Sequence, residues 1–216
     1  MPVQLSGLMY PNKMARIYLV SIEEIIGPEA MKAVLSLVGL AEFIGHYPPD
    51  NMGREFDFAD FAAIGASLEQ LYGLRAERGL ALHAGKACFS QGLAEFGSIS
   101  GLGELAFKAI PFNTKLKIGL KAMAESFAKF GDQITTVTEE ADRFIYTIQR
   151  CPVCWGRTSP KPICFIATGI LKAGLEWFTG GQEFTVEEVA CQACGHQACV
   201  FQICKTPLGR SVTADH

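Results

Sequence analysis

Apolar residues recur at helical spacing over most of the first 130 positions, and at strand spacing only afterwards. Met31, Val34, Leu35 and Val38 step by three and four residues, behind Gly27-Pro28 and ahead of Gly39. This predicts a helix with proline in its first turn and a glycine stop. Phe61, Ile64, Leu68 and Leu71 repeat the step up to about Gly73, with Asp57 or Asp60 available as capping carboxylate. Arg75 to Phe96 reads as a longer helix, with Leu80, Leu82, Cys88, Phe89 and Leu93 as apolar members. Leu105 to Ile110 and, beyond Pro111, Leu116 to Phe130 read as further helices, the last closed by Gly131. Three stretches lack this period. Met1 to Met14 reads as a loose arm, Ala15 to Ser21 as a short strand or the start of a helix, and His46 to Gly53 as a loop.

The period then changes. Gln133 to Glu139 is rich in β-branched residues, and Asp142 to Arg150 alternates through Phe144, Tyr146 and Ile148. A hairpin around Glu140-Ala141 is expected. Cys151 to Pro162 is a loop, and Ile163 to Phe178 is helical again, with Ile166, Ile170, Leu171, Leu175 and Phe178 on one stripe. Glu183 to Ala190 and Cys199 to Lys205 read as strands joined by the turn Cys191 to Gly195. Helices first, then strand–strand–helix–strand–strand, predict an α+β fold with helices packed on a small, mainly antiparallel sheet. The expected organisation is an arm (1–14), one domain (15–207, helical to 130 and α/β from 131) and a tail (208–216).

Composition adds one constraint. Hydrophobic residues make up 49% of the chain and charged residues only 19%. That excess must enter a core, a subunit interface or a cavity. A net charge of −3 gives no reason to expect nucleic acid. The richest apolar window, Ala30 to Ile44, is interrupted by Lys32, Ser36 and Glu42, so no spanning helix is expected. Without a basic segment followed by an apolar one at the start, the reading is cytoplasmic, where clustered cysteines are metal ligands before they are disulfides.

Seven of the eight cysteines fall in the last third of the chain. They offer two ligand sets. One is the pair of knuckles Cys151-x-x-Cys154 and Cys191-x-x-Cys194. The other is Cys164, Glu188, Cys191 and Cys199. Cys164 opens a helix, where the dipole favours a thiolate. Glu188 is awkward: on a regular strand, residues three apart face opposite sides, so it needs a bulge or the strand's end to join Cys191. Glu187 would share the face of Cys191. Zinc suits either set, an iron–sulfur cluster is the second option, and buried unliganded thiols are the third. Cys88, alone on a helix, reads as a core thiol.

The segment from Pro162 to Phe178, with Cys164 ahead of Gly169 and Gly174, resembles the 4-vinyl reductase domain. So does Glu188-x-x-Cys191-x-x-x-Gly195-x-x-x-Cys199 with the apolar strand after it. The resemblance covers about residues 130 to 205. It implies a fold shared with heme-nitric-oxide-binding domains and Golgi transport subunits. It also implies a hydrophobic or aromatic ligand held between helices and sheet. In the phenol and toluene sensors of that family, three cysteines and a glutamate hold zinc, which favours Cys164, Glu188, Cys191 and Cys199 here. Cys194, His196 and the knuckle Cys151-Pro-Val-Cys154-Trp155 depart from the family pattern. They leave open a second metal, a ligand swap or a redox pair.

A closed four-ligand zinc is structural, so function is expected in a cavity. Candidate wall residues are Phe89, Leu93, Phe96, Phe127, Phe144 and Tyr146, each equally suited to ordinary core packing. The leading expectation is a binder of an aromatic, lipid-like or tetrapyrrole molecule, acting as sensor, carrier or accessory protein. A homodimer and a separate signalling or enzyme partner are expected with it. The alternatives are a vinyl-group reductase of bacteriochlorophyll synthesis and a cysteine-based redox or iron–sulfur protein. Gly101-x-Gly103-x-x-Ala106 follows no clear strand and is a weak dinucleotide motif. The four histidines are scattered, and His46 and His83 read as surface or pocket polar groups.

Overall fold

Four antiparallel strands form the platform of the C-terminal half, in the order β3-β4-β6-β5. They are β3 (Thr135–Glu139), β4 (Arg143–Ile148), β5 (Phe184–Ala190) and β6 (Cys199–Pro207). The computed structural model describes residues 4–96 and 110–209. Strand alternation sets one face of this sheet. Phe144, Tyr146 and Ile148 on β4 are buried, and they lie opposite Ile203, Phe201 and Cys199 on β6. Two helices cover that face, α5 (Phe112–Phe130) and α6 (Phe165–Thr179). Leu116, Leu120 and Met123 of α5 and Leu171, Leu175 and Phe178 of α6 join the strand residues in one core. Each large side chain so buried contributes about 1.5–3 kcal/mol against the unfolded chain.

The N-terminal half has its own core among α1 (Asn12–Ile26), α2 (Pro28–Val38), α3 (Phe58–Tyr72) and α4 (Leu74–Phe96). Ala15, Tyr18, Leu19 and Ile22 lie on one side of α1, so the stretch Ala15 to Ser21 is helix and not strand. Asp57 caps α3, its Oδ1 accepting from the backbone N–H of Ala59 at 2.7 Å. Asp60 sits in the first turn, where burial and then the charge of Asp57 push its carboxyl up to about 6.

The segment expected as a loose arm is partly structured. Met9–Pro11 forms β1, which pairs antiparallel with β2 (Arg54–Asp57), and α1 begins at Asn12. Tyr10 is buried. The Asp57 carboxylate accepts from the backbone N–H of Ser6 and Gly7 and from the Ser6 hydroxyl, which ties the chain down. Strands of three and four residues are too short to show a period. The expected helix at Leu105 to Ile110 lies, except for Ile110, outside the described residues, as do the weak glycine motif and the end of the tail.

The two halves meet where α4 crosses α6 at two glycines. A Cβ on Gly85 would stand 2.2 Å from the carbonyl oxygen of Ile166 and 2.9 Å from the Cα of Gly169. A Cβ on Gly169 would stand 2.3 Å from the carbonyl oxygen of Leu82. Only glycine permits this approach of two backbones. Lys86 and Glu176 bridge the same pair of helices at 2.9 Å.

Candidate metal centre and adjoining cavity

Five thiols gather where β4, α6, β5 and β6 converge. Cys151 follows β4, and its N–H donates to the side-chain carbonyl of Gln192 at 3.1 Å. Cys154 follows one loop later. Trp155 then packs edge-on to Phe58, and Arg157 pairs with Glu69 at 2.6 Å, so the loop is fastened to the helical half. Cys164 stands at the N-terminal cap of α6. Cys191 follows β5 and Cys199 opens β6.

A β-bulge brings Glu188 into the group. Glu188 pairs with Phe201 and Ala190 with Val200, so Val189 is an extra residue on β5. Val189 is pushed out to solvent, and Glu188 and Cys191 face the same way despite their three-residue spacing. Glu187 is exposed and takes no part.

The donor atoms of Cys164, Glu188, Cys191 and Cys199 lie within 4.8 Å of one another, and so do those of Cys151, Cys154, Cys164 and Cys199. The sulfur–sulfur distances are 3.8 Å for Cys164–Cys191, 3.6 Å for Cys164–Cys199 and 3.9 Å for Cys191–Cys199. Four sulfurs on a tetrahedron about 2.3 Å from a central ion would be roughly 3.8 Å apart, so the spacing fits one ion among them. An iron–sulfur cubane would hold its thiolates farther apart by its own width. Cys194 belongs to neither group, and the two-knuckle set of Cys151, Cys154, Cys191 and Cys194 is not assembled. Its turn, Gln192–Cys194, is a 3-10 turn, whose rise carries Cys194 about 6 Å along from Cys191.

The electrostatics call for a cation. Glu188 Oε2 accepts from the Cys164 N–H at 2.8 Å, while its Oε1 is buried without a partner. Burial, and then the neighbouring Cys191, push this carboxyl up to about 8. Burial likewise raises the Cys164 thiol, whereas the bond from Cys151 and its neighbours lowers Cys154. Buried acidic groups that cannot all ionise side by side are relieved by a metal ion.

On the other side of the Cys151–Cys154 segment lies an apolar cavity of about 150 Å³. Its wall includes Phe89, Leu93, Phe96, Phe127 and Tyr146. Phe144 is not among them. It shares the face of Tyr146 but sits two residues, about 7 Å, farther along β4, packed in the sheet core with the Lys205 ammonium 5.0 Å from its ring centroid. Sequence reasoning missed Tyr10 and Met14 from the supposed arm, and Pro152 and Val153 between two cysteines. Burial pushes the Cys88 thiol on this wall up to about 12, so it stays protonated. The Tyr10 hydroxyl bonds to Gln133, whose amide donates to Thr135 at 2.7 Å. His46, His83 and His196 are exposed and none lines the cavity.

Residues 144–205 match the family model of the 4-vinyl reductase domain. The matched segment holds every member of the thiol cluster, and the resemblance read from the cysteine and glycine spacing is shown over these residues. No curated protein matches the chain. Solved structures similar over nearly its whole length are H-NOX proteins. One, solved for the mechanism of H-NOX activation, is 15% identical, covers 93% of this chain and 100% of its own, and gives a TM-score of 0.56. An H-NOX from Shewanella woodyi, solved with IWP-051 bound, is 15% identical over 94% and 98% with a TM-score of 0.55. A third, solved to probe heme distortion in the H-NOX family, is 14% identical over 93% and 98% with a TM-score of 0.52. At these identities the likeness shows the fold, an α+β fold of the H-NOX type continuing through the helical half beyond the matched segment. Among the described residues, no helix is long and apolar enough to cross a membrane.

Proposed function

We propose that this protein binds a small hydrophobic molecule, an aromatic of about one ring, in the cavity between α4, α5, α6 and the sheet, as a sensor or carrier. The observation that carries this reading is the cavity itself: about 150 Å³, walled by aromatic and aliphatic side chains. An apolar cavity of about that size stays dry and accepts benzene. A tetrapyrrole is disfavoured, since pockets for drug-sized ligands run to about 300–1,000 Å³. Heme does not fit on the same ground, and no described histidine is placed to ligate it.

Zinc at Cys164, Glu188, Cys191 and Cys199 is the second part of the reading, with a structural role because no position is left open. Support comes from the tetrahedral spacing and the unpartnered Glu188 oxygen. Eight free cysteines suit a reducing, cytoplasmic setting. Leu71, Tyr72 and Leu74, exposed at the corner between α3 and α4, support a homodimer, which the molar mass from light scattering would test.

The deciding experiment is mass spectrometry of small molecules released from the purified protein, with thermal melts against toluene, phenol and hemin. A raised melting temperature with toluene or phenol, and none with hemin, is expected. Stabilisation by hemin alone would overturn the single-ring reading. NADPH-dependent loss of a vinyl absorbance from a chlorophyll precursor would replace binding by reduction.

A further inference from the structure

The cluster has more donors than one tetrahedral ion can use. Its two four-donor groups share Cys164 and Cys199, whose sulfurs are 3.6 Å apart. Cys151 stands 3.6 Å from Cys164, and Cys154 stands 3.4 Å from Cys199, both outside the edge that faces Glu188 and Cys191. Two tetrahedra with a common edge are the arrangement of two ions bridged by two thiolates. The geometry points to a two-metal centre. Cys164 and Cys199 bridge, Cys151 and Cys154 complete one ion, and Glu188 and Cys191 complete the other. The proposal takes one of its positions from the zinc site above and adds the second.

Burial and charge support this arrangement. All five thiols are buried, so Cys151 and Cys154 are not exposed thiols that water could satisfy. A second divalent ion balances the two further thiolates that it recruits, so the buried charge does not grow. Bridging sulfurs also carry the most stabilising surroundings. The N–H of Gln192 donates to Cys199 Sγ at 3.4 Å, and Cys164 sits at the positive end of α6. The ligand type, thiolates with one carboxylate, suits zinc.

The second position has a structural consequence for the cavity. Pro152 and Val153, between the two outer ligands, form part of the cavity wall. An ion on Cys151 and Cys154 therefore fixes that wall at both ends. Without it the wall hangs from β4 on one side and from Trp155 on the other.

Native mass spectrometry of the full chain, with elemental analysis, tests the proposal by stoichiometry. Two zinc ions per chain are expected, falling to one in Cys151→Ser and Cys154→Ser. One ion in the wild type, kept in both variants, overturns the second position and leaves the Cys164/Glu188/Cys191/Cys199 site standing. One ion lost in both variants but kept in Cys191→Ser overturns that site as well, and moves the metal to the four-cysteine group. An iron–sulfur absorbance overturns both. Variants that do not fold are bypassed by ¹¹³Cd NMR of the cadmium-substituted wild type. Two resonances split by metal–metal coupling through sulfur are expected, and a single unsplit resonance refutes the bridge.

Discussion

The thiol cluster and the cavity share the segment from Cys151 to Cys154, yet they are built in opposite ways. The cluster is made by what converges: five thiols and a carboxylate drawn from separate stretches of chain, each aimed by a cap, a bulge or a strand end. The cavity is made by what fails to meet, where α4 and α6 touch at their glycines and then leave space beside α5 and the sheet. A centre of donors is set by local backbone geometry. A cavity is set by the packing of distant elements, and no local feature marks it.

The largest expected effect breaks the cluster. Replacing Cys199 by serine removes a thiolate common to both donor groups. Structural zinc binding is worth on the order of 10 kcal/mol, and metal binding is linked to folding. Loss of metal should therefore come with melting of the sheet and α6, measured by circular dichroism beside metal content. Cys204→Ser, a free cysteine outside both groups, should keep both. A Cys199→Ser protein as stable as the wild type would break the idea that the cluster is a structural centre.

The next effect breaks the junction that makes the cavity. Gly85→Ala would place its Cβ 2.2 Å from the carbonyl oxygen of Ile166, a backbone atom that cannot turn away. The helices must separate, at a cost of about 3 kcal/mol, the upper end for overpacking. Urea unfolding should show the loss, and metal content should stay unchanged because the cluster lies off the crossing.

The contrast also explains what could be read in the chain. The order of helices and then strands was legible from periodicity, as was the hairpin at Glu140-Ala141, because each element is long enough to repeat. Glu188 was legible as a problem: its spacing to Cys191 demanded a bulge, and the extra residue is Val189. The strand at Met9 was not legible, being three residues long and stabilised by Asp57 from far along the chain. For the cavity, aromatic residues on the long helix pointed to the right element. Tyr10, Met14, Pro152 and Val153 reach it only through tertiary packing. Phe144 has the right face of β4 and the wrong distance along it. A period of two fixes the face of a strand residue but not which pair a helix will cover.

Acid should separate the two regions by sign. Glu77, buried in α4, has its carboxyl pushed from the usual 4.5 up to about 7 by burial, against the opposing pull of Arg157. Between those values the folded chain holds a proton that the unfolded chain has released. Its contribution is present below about 4.5 and is lost as pH rises through 7. Stability of the helical half should thus fall by on the order of 2 kcal/mol across this window, and Glu77→Gln should flatten the slope. The metal centre should respond the other way, because thiolates must lose their protons to bind metal and acid releases it. Urea midpoints from about pH 5 to about pH 7.5, with chelator present and absent, read both signs.

The smallest effect on stability isolates the cavity. Gly92 lies on the wall in the middle of α4, and a Cβ added there meets nothing within 4 Å. Gly92→Leu replaces the poorest ordinary helix former with a good one, a gain of about 1 kcal/mol. The same side chain extends into space that the proposed ligand would occupy. The variant should melt slightly higher, keep its metal, and lose at least tenfold in affinity for toluene by calorimetry. A change in metal content would mean that the two sites are one unit. Undiminished toluene binding in a stabilised protein would mean that the ligand sits elsewhere, and that the empty space beside α4 is only a packing defect.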